Sequence, residues 1–269
     1  MSVFVAMLLG FVQGVCEFLP VSSSGHLLLL QKAFGITEGG MFFSVMLHLA
    51  TLVAVIVVYW DILWKLIRRP FSKLVGLLIL AVLPTVLVAI LFKKVEPFET
   101  FYNNAEQGKY LGYCFLVTSL FLGLCDLLPP RANQRRLREM KATDALIIGS
   151  MQGVGVLAGV SRSGSTISGA LFAGLDRKAA ADFSFLLSIP AILGGAVLEI
   201  PDAIAEGIGN VHWTCVFFGM VTAGLTGYFA IRFMLNAIKK KRLWGFGVYT
   251  AVLGLFVLVD QYALHLIDW

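Results

Sequence analysis

Glu17, Ser22, Ser23, Ser24 and His26 fall close together in one otherwise apolar stretch, residues 13–26, which reads QGVCEFLPVSSSGH. A hydroxyl beside an imidazole is the minimal pair of nucleophile and general base. Ser23 and His26 are three residues apart at the start of a helical arm, a spacing that turns both toward the same space. Ser22 is best placed as the cap that accepts backbone N–H bonds. Ser23 is then left as the attacking hydroxyl and His26 as its base. Direct attack by His26, with Ser23 only binding, is the rival. Glu17 approaches from the preceding arm, where it could orient the imidazole or help hold a divalent cation on phosphate oxygens. Gln13, one helical turn before Glu17, faces the same way. Charged and polar groups are costly in hydrocarbon, so such a cluster in an apolar region marks a functional site.

The chain then repeats this stretch. A shift of 139 positions lays it on residues 152–165, QGVGVLAGVSRSGS, and seven of the fourteen pairs are identical. Ala6/Ala145 and Gly10/Gly149 agree at the same offset, and Phe43-Ser44 finds Phe183-Ser184 one residue later. Both copies open a second arm with Ser and Gly, at Ser22–Gly25 and at Ser161, Ser163 and Gly164. A helix N-terminus presents unpaired N–H groups and the positive end of the helix dipole, which suits an anion and phosphate above all. Arg162 sits at the second corner, and its planar fork binds oxygens in pairs and stays charged when buried. Two converging helix ends with Arg162 between them would hold phosphoryl oxygens. Other polar residues read as structural. Ser165 and Ser168 suit close helix packing. His48 reads as a satisfied core residue, and Asp126, Asp182, Glu199 and Arg232 as pairing or snorkelling near span ends. Cys16, Cys114, Cys125 and Cys215 lie in apolar segments without metal or disulfide spacing.

The elements that must position these groups are apolar helices. Of the 269 residues, 58% are hydrophobic and 14% charged, against roughly a quarter charged in soluble domains. This is the composition of an all-α polytopic membrane protein. The +5 net charge comes from short basic clusters between apolar runs, which read as topology signals and not as a nucleic-acid face. No positive charge precedes the first apolar run, so it lacks the n-region of a cleavable leader. Residues 4–34 make two short arms broken at Pro20, and 145–175 make another pair. Each arm is short of the roughly 20 residues of a span, which predicts two re-entrant hairpins. Three fuller spans follow each hairpin, at 41–60, 74–92 and 110–128, then at 183–200, 213–235 and 243–259. The strongly basic connections are Lys65–Lys73, the linker from Arg131 to Lys141, and Lys239–Arg242. All three fall on one side, expected to be cytoplasmic, with both termini outside. Three crossings per half invert the second half relative to the first. The expected plan is two inverted repeats, 1–130 and 143–269, joined by a basic linker at 131–142, with hairpin tips meeting near the midplane.

At residues 13–26 and at 159–168, GVSRSGSTIS, the chain resembles the bacterial undecaprenyl-diphosphatase family. The segment 183–190, FSFLLSIP, is similar to the family's continuation of the second motif, and length and span layout agree. The chain departs from the family pattern at Ala158, where proline is usual, and carries Gln13 where the family has an acid or an amide. The resemblance implies hydrolysis of undecaprenyl diphosphate to the monophosphate and inorganic phosphate. That reaction recycles the lipid carrier of peptidoglycan synthesis in the bacterial inner membrane and is linked to bacitracin resistance. It also implies a divalent cation, Mg2+ or Ca2+, and places Glu17, Ser22, Ser23, His26, Ser161, Arg162 and Thr166 on active-site positions. The expected partners are the lipid substrate and membrane lipid, with a homodimer left open. The architecture alone would equally suit a lipid-phosphate transporter or flippase. The pairing of Ser23 with His26 favours the enzyme, because a transporter needs phosphate ligands but no activated nucleophile.

Overall fold

A computed structural model describes residues 1–36, 39–127, 133–206, 212–240, 243–267 and 269, apart from the side chains at 202, 239 and 240. The described residues form twelve α-helices in chain order: α1 Val3–Phe18, α2 Ser23–Ala33, α3 Gly40–Val58, α4 Trp60–Arg68, α5 Lys73–Lys94, α6 Phe98–Glu106, α7 Leu111–Leu127, α8 Ala142–Val154, α9 Arg162–Ala173, α10 Arg177–Glu206, α11 Trp213–Lys240 and α12 Trp244–Val259. They contain no strand, only one isolated bridge between Arg135 and Leu175. Pro129, Pro130, Arg131, Lys241 and Arg242, which belong to the expected basic connections, lie outside the described residues.

Among the described residues, five helices are long and apolar enough to cross a membrane, or six if α6 and α7, bent by 95°, count as one span. Their outer faces carry rows of exposed apolar side chains, such as Leu83, Leu87 and Ile90 on α5 and Phe217, Leu225 and Phe229 on α11. Apolar surface on this scale is stable only in lipid, and the chain is a multi-pass membrane protein. The expected spans correspond to α3, α5, α7, α10, α11 and α12. Two short helices depart from the expected loops. α4 carries Trp60, Trp64 and Ile67 exposed beside Asp61, Lys65 and Arg68, the composition of a helix lying in the membrane interface. α6 continues into the bent pair. α10 begins at Arg177 and not at 183, because Asp176 caps it through the N–H of Ala179 at 2.7 Å.

The broken arms pack on spans of the opposite half. α1 lies along α11, and α8 lies along α5. A Cβ placed on Gly10 would lie 2.3 Å from the Gly219 carbonyl oxygen, and one on Gly149 only 2.1 Å from that of Ala81. One turn on, a Cβ on Gly14 would lie 1.9 Å from Thr226 Oγ1, and one on Gly153 would lie 2.9 Å from Val88 Cγ2. These are the same contacts made twice, since Gly10/Gly149 and Gly14/Gly153 are repeat pairs. α7 crosses α12 at Gly112 and Gly254, where a Cβ on either would lie 2.8 Å from the other's carbonyl oxygen. The charges expected near span ends are paired: Asp126 with Arg177 at 2.6 Å, and Asp182 with Lys178 and the Tyr59 hydroxyl, both at 3.0 Å. Arg232 lies over the Tyr228 ring. All four cysteines are free, with Cys16, Cys114 and Cys215 buried.

The linker docks on the second broken pair. Arg135 clasps the Asp144 carboxylate with two bonds of 2.5 and 2.8 Å, and its Nη2 also reaches the Ala173 carbonyl at 2.6 Å. Burial pushes the Asp144 carboxyl up, but Arg135 and the Lys141 N–H outweigh it and hold it below the usual carboxylate range. A lowered folded value means that this stabilisation is complete above the ordinary Asp value of about 3.9 and is lost as the pH falls through the folded value. Asp144→Asn is therefore expected to lower the unfolding midpoint in detergent at neutral pH, by up to about 3 kcal/mol. The variant should also lose less stability than the parent on acidification below pH 4. The helix crossings give a second expectation. Gly10→Ala and Gly149→Ala must push backbones apart, at about 1–3 kcal/mol each, whereas Gly194→Ala, with nothing within 4 Å, should leave the midpoint unchanged or raise it.

Candidate active site

The two chain corners share their serine caps but not their backbone, since Ser161 is extended, with φ −69°. α1 stops because Pro20 cannot continue it, and the chain turns through Ser22, whose φ of +69° is left-handed for a residue with a side chain. Such a conformation costs about 1–3 kcal/mol and persists only where its surroundings enforce it. Here the Ser22 carbonyl accepts two bonds from His26, from the backbone N–H at 3.3 Å and from Nδ1–H at 2.7 Å. The Ser22 hydroxyl caps α2 by accepting from Gly25 N–H, and Ser161 caps α9 by accepting from Gly164 N–H at 3.0 Å. Each cap hydroxyl also meets the hydroxyl two residues on, Ser24 at 3.4 Å and Ser163 at 3.3 Å. The Ser161 N–H is anchored on Thr118 of α7. The corners touch each other. A Cβ on Gly25 would lie 2.9 Å from Gly159 Cα, and the Ser163 hydroxyl donates to the Leu19 carbonyl at 3.1 Å.

Glu17 lies where the corners meet, 5% exposed. Its Oε1 pairs with Arg162 Nη2 from the other half. Its Oε2 accepts the Ser23 hydroxyl at 2.5 Å and Gln13 Nε2 at 3.0 Å, with His48 Nε2 at 3.5 Å. Arg162 Nη1 and Gln13 Oε1 are buried and have no hydrogen-bond partner. The guanidinium thus holds the carboxylate with one nitrogen and offers the other to a ligand. A buried donor without a partner costs about 1–3 kcal/mol, so an incoming oxyanion that accepts from it gains that amount back.

The structure corrects one expected pairing. Ser23 is bonded to Glu17 and not to His26. The His26 ring is drawn back by the Ser22 carbonyl, so Nδ1 is the donor. Its Nε2 meets the Tyr249 hydroxyl of α12 at 2.7 Å, and the two rings stack at 5.7 Å between centroids. His48, expected to be a satisfied core residue, instead joins the Glu17 cluster, with its Nδ1–H held by the Ser44 carbonyl at 2.8 Å. Thr166 faces away, its hydroxyl shared between the Arg162 carbonyl at 2.9 Å and Ser184 of α10 at 2.6 Å. Ser165 and Ser168 are buried in the α9 packing face. The residues brought into direct contact are Glu17, Ser23, Gln13 and Arg162, with Ser22, His26, Ser161, Ser163 and Gly164 forming the corners around them. His48 and Tyr249 are the additions. His48 could have been found from its sequence, as a titratable group in an apolar span. Tyr249 carries no such signal.

The donors do not fit a protein-built divalent-cation cage. Glu17 is already engaged by an arginine, a hydroxyl and an amide, and no group of three or more His, Cys, Asp or Glu side chains capable of holding a metal occurs among the described residues.

Residues 6–256 match the family model described as Bacitracin resistance protein BacA. The chain is 41% identical over 265 residues to the undecaprenyl-diphosphatase of Carboxydothermus hydrogenoformans, covering 98% of this chain and 99% of the relative. It is 37% identical over 261 residues to that of Halothermothrix orenii, with 96% and 98% covered. It is 38% identical over 278 aligned residues to that of Alkaliphilus metalliredigens, with 96% and 98% covered. An all-helical membrane chain, a carboxylate–arginine–serine cluster at its centre, and matches that run almost from end to end all agree: the chain belongs to the bacitracin resistance protein BacA family.

Proposed function

We propose that this protein hydrolyses undecaprenyl diphosphate to undecaprenyl phosphate and inorganic phosphate, returning the lipid carrier to peptidoglycan synthesis and thereby supporting bacitracin resistance. The observation that carries the chemistry is the Ser23 hydroxyl bonded at 2.5 Å to a buried carboxylate, beside an arginine nitrogen that has no partner. The Ser23 oxygen attacks the terminal phosphorus while its proton passes to Glu17. The bond from that phosphorus to the bridging oxygen breaks, and the prenyl monophosphate leaves. Water then hydrolyses the serine phosphate: its oxygen joins phosphorus, the departing Ser23 oxygen takes back the proton held by Glu17, and inorganic phosphate is released. Arg162 Nη1 and the N-termini of α2 and α9 stabilise the charge on the equatorial oxygens. His26 holds the Ser22 corner in its left-handed conformation and so aims Ser23. Ser22, Ser161, Ser163 and Gly164 shape the phosphate end of the site, and Gln13 keeps Glu17 in place. The described side chains form no cage for a divalent cation, so Mg2+ or Ca2+ would be held chiefly by the diphosphate oxygens and would neutralise part of their charge.

The architecture we infer is two inverted repeats, 1–130 and 143–269. Each consists of a re-entrant pair (α1–α2, α8–α9) and three spans, with the linker 131–142 in the cytoplasm and both termini outside the inner membrane. The reciprocal packing of α1 on α11 and of α8 on α5 supports this reading, as does the repeated corner chemistry.

Purified protein given a long-chain prenyl diphosphate should release phosphate, and release should fall when a chelator is added. Ser23→Ala and Glu17→Gln should each lose roughly 10²–10⁴ in kcat, and a Glu17→Gln enzyme of normal turnover would remove the carboxylate from the mechanism. Arg162→Lys keeps the charge but replaces a fork with a point, so a loss of roughly 10²–10³ is expected. Near-normal activity in that variant would make Arg162 a structural partner of Glu17. For orientation, Arg136→Cys in intact cells should resist a thiol reagent that cannot cross the membrane, and its labelling would reverse the assignment of sides.

A further inference from the structure

Outside the active site, a cavity of about 790 Å³ opens where α4, α5, the linker and the start of α10 meet. Its charged lining is Lys73, Arg136, Arg138 and Lys178, opposed by Asp176 and Asp182. Both acids are committed, Asp176 to the cap of α10 and Asp182 to Lys178 and Tyr59. Arg136 and Arg138 have no ion-pair partner among the described residues, and Lys73 makes only one bond, to the Arg138 carbonyl at 3.3 Å. Ser72 also lines the cavity, at the N-terminus of α5, and its hydroxyl is buried without a hydrogen-bond partner. An orphaned hydroxyl and three exposed cations without ion-pair partners, lining one cavity, suit an anion with several acceptor oxygens.

The depth of the cavity identifies the anion's carrier. One wall is apolar, from Ile62, Leu74 and Leu77. α4, which contributes Ile62, presents Trp60 and Trp64 outward, with Arg68 over the Trp64 ring at 4.9 Å, and Phe71 follows it fully exposed. Aromatic rings beside arginines mark the headgroup level of a bilayer. A phosphate bound here would therefore sit at headgroup depth, with its chains running down the apolar wall. We propose that this cavity binds the headgroup phosphate of an anionic phospholipid from the leaflet on the side of the basic connections. The ligand bridges the half-to-half linker to α5 and α10. The site is separate from the Glu17 cluster and does not depend on the hydrolytic reading.

Native mass spectrometry of the full-length protein in detergent tests this, with phosphatidylglycerol, phosphatidylcholine and inorganic phosphate titrated separately. Phosphatidylglycerol should bind at least tenfold more tightly than phosphatidylcholine. Affinity should fall roughly fivefold per charge removed in Lys73→Gln, Arg136→Gln and Arg138→Gln, and measurably in Ser72→Ala, a change too small to endanger folding. A Lys65→Gln/Arg69→Gln variant, which loses charge near this face but outside the cavity, should bind normally. Equal binding of the two lipids, equal loss in the Lys65/Arg69 control, or no loss in Ser72→Ala together with the three charge variants would each overturn the proposal. So would inorganic phosphate binding as tightly as the lipid, because the site would then be one for free phosphate.

Discussion

Everything in this structure depends on the pairing of Glu17 with Arg162. A carboxylate buried in an apolar protein must be matched by an opposite charge and by hydrogen bonds, because breaking such a pair leaves an uncompensated charge worth several kcal/mol. Its partner comes from the other half of the chain. The two corners must therefore touch, and the residues between them are those that allow it: Gly25 against Gly159, and Ser163 on the Leu19 carbonyl. The same requirement reaches the helices, since α1 and α8 approach their spans closely only because Gly10 and Gly149 have no side chains.

The two corners share their caps and differ in the groups set between them. The capping hydroxyls Ser22 and Ser161 and their neighbours Ser24 and Ser163 do the same work twice. The reactive positions differ. Glu17 corresponds to Val156, Ser23 to Arg162, and His26 to Ser165. In the proposed mechanism one half contributes the base and the nucleophile, and the other the cation that holds the base. A single site results, shared across the repeat, and neither half contains it alone. Gln13 and Gln152 show the divergence in miniature, since one amide supports Glu17 and the other bonds Thr85.

Much of this was legible in the residues. Pro20 and the two Ser-Gly corners gave away the broken arms, the offset of 139 positions laid one corner's sequence on the other's, and Glu17 with Arg162 stood out as charges in apolar surroundings. The partner of Ser23 was not legible. Reasoning from a regular helix puts Ser23 and His26 on one face, but Ser22 adopts a positive φ and its carbonyl captures the imidazole. The face is then set by a tertiary bend that the three-residue spacing cannot reveal. His48 was legible as an ionisable group in a span, yet its role depends on α3 passing beside α1. Tyr249 depends wholly on how α12 docks. α4 was hidden because its Trp and Arg residues read equally well as a loop flanking a span.

The central claim is that Glu17, held by Arg162, activates Ser23 for attack on phosphorus. The most direct measurement is to quench the full-length enzyme in acid during turnover of a prenyl diphosphate carrying a labelled terminal phosphate, and to locate the label. Serine phosphate survives acid and histidine phosphate does not. The account predicts acid-stable label on Ser23 that is lost in both Ser23→Ala and Glu17→Gln. Acid-labile label on His26, persisting in Ser23→Ala, would contradict it.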